Sequence, residues 1–554
     1  MGTRAEDAPL PIEGVVDHLG QPIFSRGAAG GWPSAAFIIG AEVSEHFAYY
    51  GISMNLISYL TRDFLESTAS AAANMNTWSG VSLMLPLLGG FIGDYFLGRY
   101  RTTVISSLLY VLGLSMLVAS AVAPSLRPPE CGSGSGSRES CLPSQFQTAF
   151  FFSALYLVAV AQAGHKACTQ AFGVDQFDGD DPEECRSRSS FFNWLYFGIC
   201  SGTASTVLLM SYVQDNIGWG LGFGLPCASM AVSLALFLAG TRTYRYCASP
   251  GKNPVAQLAG ADCNFSSSRR GPPHEEAKEA LLHHLLLPHG FPLCRSAGEE
   301  EGVAEGPRAV LRLLPIGVTC LLYAVVLAQP STFFTKQGST MDRRITPSFL
   351  VPPAALQSFI SLSVLAFVPI YDRLFVPITR AFTGRASGLT MLQRIGVGMV
   401  FSIFAVAIAA KVETKRLQTA RDLGLVDLPG VAIPMSLWWL VPQYVLFGVS
   451  SVFTVVGLQE FFYDQVPVSM RSLGFALYMS IFSVGSFISG FFILVIQKVS
   501  AWWGEDWFSD NLNRAHLDYF YWLLAALSSV ELLLYLYLAR SFVYKQRKKG
   551  SGAA

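Results

Sequence analysis

Apolar residues in this chain fall in long runs, not in the strict alternation of a strand or the single stripe of a surface helix. The runs recur at a length suited to crossing about 30 Å of hydrocarbon. They lie near 34–60, 75–97, 102–124, 147–169, 190–213, 218–240, 309–331, 350–371, 387–411, 434–459, 471–497 and 517–540, which predicts about twelve membrane helices. The polar stretches between them are short, except at 125–145 and 243–307. In 243–307 the composition shifts to Gly, Pro, Ser, charges and four of the eight histidines. That stretch reads as a linker between two six-helix bundles, the layout of a parallel-repeat transporter. The expected organisation is a polar tail at 1–30, a first bundle at 31–242, the linker at 243–307, a second bundle at 308–542 and a basic tail at 543–554. No internal sequence repeat marks the two bundles, so this division rests on span count and loop length.

The first run is interrupted where a membrane helix should carry no charge. Glu42, Glu45 and His46 follow i, i+3, i+4, so a helix projects all three from one face, with Tyr49 a turn further on. Ionisable groups at that depth are costly and face a bundle interior or a watery cavity. The expected role is a functional site; the bland alternative is an interhelical salt bridge that only holds the bundle together.

Composition agrees with a polytopic membrane protein. Of 554 residues only 14% are charged and 51% are hydrophobic, where a soluble protein carries about 25% charged residues. Net charge is zero, which removes any global electrostatic case for nucleic acid. The placement of charge says more. Arg99, Arg101, Arg186, Arg188, Arg242, Arg245, Arg269, Arg270, Arg308, Lys545, Arg547, Lys548 and Lys549 fall on one side of an even-numbered bundle. The positive-inside rule makes that side, and both termini, cytosolic. Lys415, Arg416 and Arg421, in the opposing loop 412–433, weaken the pattern. Residues 1–30 have no apolar core, so the first span is expected to act as the insertion signal. Cys131 and Cys141 bracket a Gly-Ser loop on the non-cytosolic side and are a candidate disulfide; two free thiols are the alternative. In the linker, 274–287 has the pattern of a short amphipathic surface helix. His274, His283, His284 and His289 lack metal-ligand spacing, so no metal is expected. The acceptor triplet at Asn264 is expected to stay unglycosylated in the cytosol.

Further motifs lie at span ends. Gly89-Gly90-Phe-Ile-Gly93-Asp94 leads into Gly98-Arg99-Tyr-Arg101, a glycine-rich turn in which Asp94, Arg99 and Arg101 are candidates for a breakable latch. The fourth span ends Gly164-His165-Lys166-Ala-Cys168, and a lysine there needs a counter-charge or an anionic ligand. Glu42 and Glu45 are its nearest candidates by topology, while His165 reads as a packed ring. The fifth span opens Phe191-Phe192-Asn193-Trp194-Leu-Tyr196, and Pro330 is expected to break the seventh just after Gln329. The tenth reads Pro442-Gln443-Tyr444 through Ser450-Ser451-Val-Phe453 to Gln459-Glu460-Phe461-Phe462-Tyr463. On the eleventh, Gly474, Ser480, Gly485, Ser489 and Gly490 look like close-packing positions.

Taken together in order, these motifs resemble the proton-coupled oligopeptide transporter family, and details such as Asn513-Arg-Ala-His516 resemble its plant nitrate and peptide branch. The resemblance spans roughly 30–542 and omits the linker. It implies an all-α major facilitator fold, alternating access, and proton-driven movement of small solutes through the lipid bilayer. By that resemblance Glu42 and Glu45 handle protons and Lys166 is their partner in substrate binding. Tyr49, Tyr50, Asn193, Tyr196, Gln329, Ser451 and Phe453 line the pocket. Three departures stand out. The family's first-span motif ends in Arg or Lys, and here it ends in His46, whose unperturbed pKa is about 6.5. Ser451 stands where the family usually has an acid that anchors a peptide amino terminus, and Leu327 stands where nitrate-type members can have His.

The expectation is a symporter of a small solute, with nitrate or another small anion favoured. Di- and tripeptides, plant hormones or glycosides are the alternatives, and a substrate sensor with weakened coupling is the alternative of another class. No phosphate loop, catalytic triad or metal spacing suggests an enzyme. No cofactor is implied and no oligomer is specified. Plasma membrane and vacuolar membrane both suit the topology.

Overall fold

A chain that crosses hydrocarbon must satisfy every backbone group internally, and this one does so with helices. The structure, a computed structural model, describes residues 15–25, 27, 29–128, 142–178, 181–247, 305–346, 349–383, 389–465, 471–502, 504 and 506–542. The first bundle contains α1 (Gly31–Ser53) with its short continuation α2 (Leu56–Arg62), α3 (Thr68–Ile92), α4 (Arg99–Val122), α5 (Gln145–Val174), α6 (Pro182–Asn216) and α7 (Trp219–Ala239). The second contains α8 (Glu305–Val318), α9 (Leu321–Leu327), α10 (Phe333–Ser339), α11 (Ser358–Ile370), α12 (Val376–Thr383), α13 (Met391–Asp422), α14 (Val441–Asp464), α15 (Arg471–Trp502) and α16 (Leu517–Ser541). Among the described residues, eight segments are long and apolar enough to cross a membrane. The passages outside that set are α1, α3, α6 and the broken series α8–α10. Charge in α1 and the chain breaks in α8–α10 lower their apolar runs.

Side-chain caps fix several helix starts. Ser144 with Gln147, and Thr390 with Gln393, form reciprocal capping boxes at α5 and α13. In the first bundle α4 packs on α5 and α7, and α1 on α6 and α7; in the second, α13 packs on α14 and α16. The bundles meet along α3 with α15 and α6 with α11. Ser483 Oγ donates to the Gly80 carbonyl at 2.7 Å, and Asn76 Nδ2 donates to Ser489 Oγ at 3.0 Å. Of the small residues expected on the eleventh span, Gly490 faces α3, where a Cβ would press on the Ala73 carbonyl, and Gly485 faces α9, where a Cβ would collide with Ala324.

Further bonds tie the seam toward the face opposite the termini, here the far face. Gln357 Nε2 donates to the Met54 carbonyl at 2.8 Å, Lys336 Nζ donates to Thr61 Oγ1 at 3.0 Å, and Thr68 N–H donates to Asp510 Oδ1 at 2.9 Å. Arg343 also reaches across the seam to Asp215, at 3.6 Å, while Arg62 holds the same carboxylate from its own bundle at 3.3 Å. On the tail face, β1 (Val15–Val16) pairs antiparallel with β2 (Tyr246–Cys247). The adjacent Arg245 is buried, holds both Glu184 oxygens at 2.7 and 2.9 Å, and donates to the Ala29 carbonyl at 2.8 Å. Short pieces of the expected tail and linker therefore form a clasp on the first bundle. Residues 1–14 and 248–304, which include 274–287 and the four linker histidines, lie outside the described residues.

Three expectations about elements change. The first run breaks at Met54–Asn55 and continues as α2. The seventh breaks at Pro330, between α9 and α10, and also at Thr319–Cys320, just after Pro315 and Gly317, where no break was expected. Residues 412–422 are not a loop: α13 continues to Asp422, and Arg416 is wholly buried on the Glu413 carboxylate at 2.6 and 2.8 Å. That neutralised pair carries no weight as a loop charge.

Candidate functional site

The three ionisable residues of α1 converge as their spacing requires. Glu42 and Glu45 are fully buried and His46 is 5% exposed. His46 Nδ1 lies 3.1 Å from Glu45 Oε2 and 3.8 Å from Glu42 Oε2. The same nitrogen is 2.9 Å from the Glu42 backbone carbonyl. Neighbouring helices complete the shell: Gln170 Nε2 of α5 donates to Glu42 Oε2 at 3.1 Å, and the Tyr110 hydroxyl of α4 donates to Glu45 Oε1 at 3.5 Å. Buried charges survive only when paired and hydrogen-bonded, because desolvation costs several kcal/mol per ion. Two carboxylates beside one imidazole leave a negative charge to be met, so a proton or a second cation belongs in this shell. The donor atoms lie within 4.8 Å of one another, as in a carboxylate–imidazole metal site. Nδ1 is turned to its own helix carbonyl, however, which favours an ion-pair cluster over a metal ligand set.

Lys166 completes the group from α5. Its half-buried ammonium sits over the Tyr49 ring, 5.8 Å from the centroid. Tyr49 stacks on Trp78 at 5.6 Å, and Trp78 donates to the Leu155 carbonyl at 3.0 Å. Gly89 of α3 permits this placement, since a Cβ there would collide with the Ala163 carbonyl and the Gly164 nitrogen. Among the described residues Lys166 has no carboxylate within 4.0 Å, and the cation adjoining Glu45 is His46. The expected Lys166–glutamate pair is thus replaced in this state by a His46–glutamate pair. His165 is fully buried, with neither ring nitrogen bonded, in keeping with a packed ring.

The other candidates divide. Tyr50 packs edge-on to Tyr49 at 5.3 Å and joins the cluster. Gln329 is fully buried at the end of α9, with Nε2 on the Val325 carbonyl at 2.9 Å and near Ser489 at 3.4 Å. Ser451 is half-buried and donates to the Phe447 carbonyl at 2.9 Å. Phe453 is buried among Tyr371, Phe367 and Phe401, so it serves packing and not a pocket wall. Arg99 pairs with Asp175 at 2.6 Å, linking the start of α4 to the end of α5, and Arg101 is exposed. The side chains of Asp94, Asn193 and Tyr196 lie outside the described residues, as do Cys131 and Cys141. The sequence reading overlooked Gln170, Tyr110, the Tyr323–Ser450 contact and Glu531. Glu531 alone had a plain signal, an acid within the last apolar run.

A buried charge cluster at the centre of a two-bundle helical membrane protein defines a class: membrane transporters of the major facilitator type, with no enzymatic site. The POT family model matches residues 100–506. The chain is 52% identical to the Arabidopsis thaliana protein NRT1/PTR FAMILY 5.10 over 97% of this chain and 99% of that protein. It is 48% identical to NRT1/PTR FAMILY 5.12 of the same plant, covering 97% of each. Among solved structures, an auto-inhibited POT family peptide transporter superposes with a TM-score of 0.70 at 22% identity, over 94% of this chain and 99% of that one. The POT family transporter PepTSo gives a TM-score of 0.68 at 21% identity, over 92% and 98%. The chain belongs to the POT family, and is a proton-coupled transporter of small molecules in a membrane.

Proposed function

We propose that the protein is a proton-coupled symporter of a small anion, with nitrate the leading substrate. The observation that carries this reading is the buried Glu42–Glu45–His46 cluster with Lys166 facing it unpaired. Protonation of the glutamates removes the negative charge that would repel an anion, and Lys166 can then meet an anionic solute. The second bundle offers neutral groups toward the middle, Gln329 and Ser451, and Ser451 gives a peptide's amino terminus no carboxylate to bind. That favours an anion over a dipeptide.

The tail face is the cytosolic one in this reading, at the plasma or the vacuolar membrane, and residues 31–242 and 308–542 rock against each other, the far-face bonds breaking when the site opens to the non-cytosolic side. Glu42 and Glu45 load protons from the non-cytosolic side, the anion binds at Lys166, and the neutralised cluster allows closure and release to the cytosol. Uptake of nitrate and of a dipeptide at about pH 5.5 and about 7.4, values that straddle the unperturbed imidazole pKa, tests it. Acid-stimulated nitrate current that exceeds dipeptide current is expected. Acid-stimulated dipeptide uptake without nitrate uptake overturns the substrate assignment.

A further inference from the structure

The second bundle holds a carboxylate that the α1 cluster leaves unexplained. Glu531 lies inside α16 and is 8% exposed. Its Oε1 accepts the backbone N–H of Leu322 at 2.8 Å and of Tyr323 at 3.1 Å. In an unbroken helix those N–H groups would donate to the carbonyls of Val318 and Thr319. Here the chain turns first. Cys320 has φ −110° and ψ 4°, its N–H donates to the Gly317 carbonyl at 3.0 Å, and Thr319 Oγ1 turns back to the Ile316 carbonyl at 2.8 Å. The opening N–H groups of α9 are thereby left for a partner outside their helix. An unmet backbone group in hydrocarbon costs several kcal/mol, and an ionised acceptor makes the stronger bond.

Tyr323 carries this contact across the bundle. Ser450 Oγ of α14 lies 3.3 Å from its hydroxyl and 2.7 Å from the Gly398 carbonyl. Gly398 permits so close an approach, since a Cβ there would collide with Thr454 and the Ser450 carbonyl. Glu531 thus fixes, through one backbone contact, a tyrosine that ends beside Ser450, next in sequence to the pocket candidate Ser451. Among the described residues its titratable neighbours are Cys320 and Tyr323, and no cation acts on it. From α13 the Leu392 carbonyl accepts the Tyr535 hydroxyl at 2.8 Å, an uncharged contact one turn from Glu531.

We propose that Glu531 is a positioning residue: its charge holds the bend between α8 and α9, and a proton taken up from water by this carboxylate loosens the bend during transport. The proton converts the carboxylate to a neutral acid, a weaker acceptor for two N–H groups, and leaves again when the bend re-forms. The second bundle then answers to pH independently of the α1 cluster.

Amide hydrogen exchange of the segment containing Leu322 and Tyr323 tests this on the full-length protein in detergent, without any substrate. At pH 9.5, Glu531→Gln is expected to exchange these amides at least about 10-fold faster than wild type, the ratio falling toward one at pH 6 as the carboxylate takes up its proton. A ratio that stays the same at both pH values overturns the proposal, because glutamine would then differ only as a static acceptor. Wild type alone gives a second reading should the variant not fold. Protection of Leu322 and Tyr323, relative to Val325 and Val326 in the same helix, is expected to drop at least about 5-fold between pH 9.5 and 6. Constant relative protection contradicts the proposal. In reconstituted protein, Glu531→Gln should also move the pH profile of uptake, which a purely structural cap that glutamine can replace would leave in place.

Discussion

The two bundles treat buried polar groups in opposite ways. The first gathers Glu42, Glu45, His46 and Lys166 around one point and leaves their charges incompletely matched. The second closes its buried ion pair completely, Arg416 on Glu413, and extends it to the Asn513 side chain at 2.9 Å and the Leu512 carbonyl at 2.7 Å. A fully satisfied pair is a structural joint, since separating it would strand both charges. An unbalanced cluster instead has work left for a proton or an anion. The lesson is that burial of charge does not mark function here; incomplete pairing does.

Lys166→Ala should break the contrast most severely. Removing one charge-assisted bond to substrate, worth about 1.5–3 kcal/mol, corresponds to a loss of about 10- to 150-fold in apparent affinity. Acid-driven uptake against substrate concentration measures it, and Arg416→Ala supplies the counterpart: loss of folded protein, seen by size-exclusion chromatography, with no survivors to assay. Next in size is His46→Arg. A permanent cation beside Glu42 and Glu45 makes their proton loading harder, so the alkaline limb of the profile should shift by about one unit toward acid. An unshifted limb would remove His46 from coupling. Gly398→Ala sharpens the contrast from the packing side. Its methyl must displace α14, at about 1–3 kcal/mol, read as a lower melting temperature with little change in the pH profile.

The smallest expected effect lies outside the membrane, at Asp63 on the far face. Burial is the largest influence on its carboxyl and pushes it up to about 6. Between the unfolded carboxylate value, about 4, and 6 the folded state binds the extra proton, so stability contributed by this group falls as pH rises through that window. Asp63→Asn should therefore raise the melting temperature by a few degrees at pH 7.5 and leave it unchanged near pH 4.

Much of this was legible in the chain itself. Spans were readable because apolar runs are long, and Glu42, Glu45 and His46 because charges in such a run have few reasons to exist. Pro330 announced one break in the seventh passage. The other, at Thr319–Cys320, went unexpected although Pro315 and Gly317 stand in the turn before it, because the apolar run continues through them. Its acceptor comes from Glu531, more than two hundred positions away. Arg416 looked like a loop charge because periodicity fades before α13 ends, and only tertiary contacts reveal its burial. The partner of Glu45 was misplaced for a related reason: topology put Lys166 near the glutamates, while His46 on the same turn is closer. Glu531 was within reach of the rule that flagged α1, and that rule was not carried to the last span.

The central claim, that the α1 cluster joins proton movement to solute movement, is tested most directly in liposomes carrying an internal pH dye and the purified protein. Adding external nitrate at acid pH should acidify the interior of wild-type liposomes. Glu45→Gln should reduce that acidification about 10²-fold or more, the scale of a positioned proton-transfer group. Nitrate entering without proton flux, or Glu45→Gln acidifying like wild type, would contradict the account.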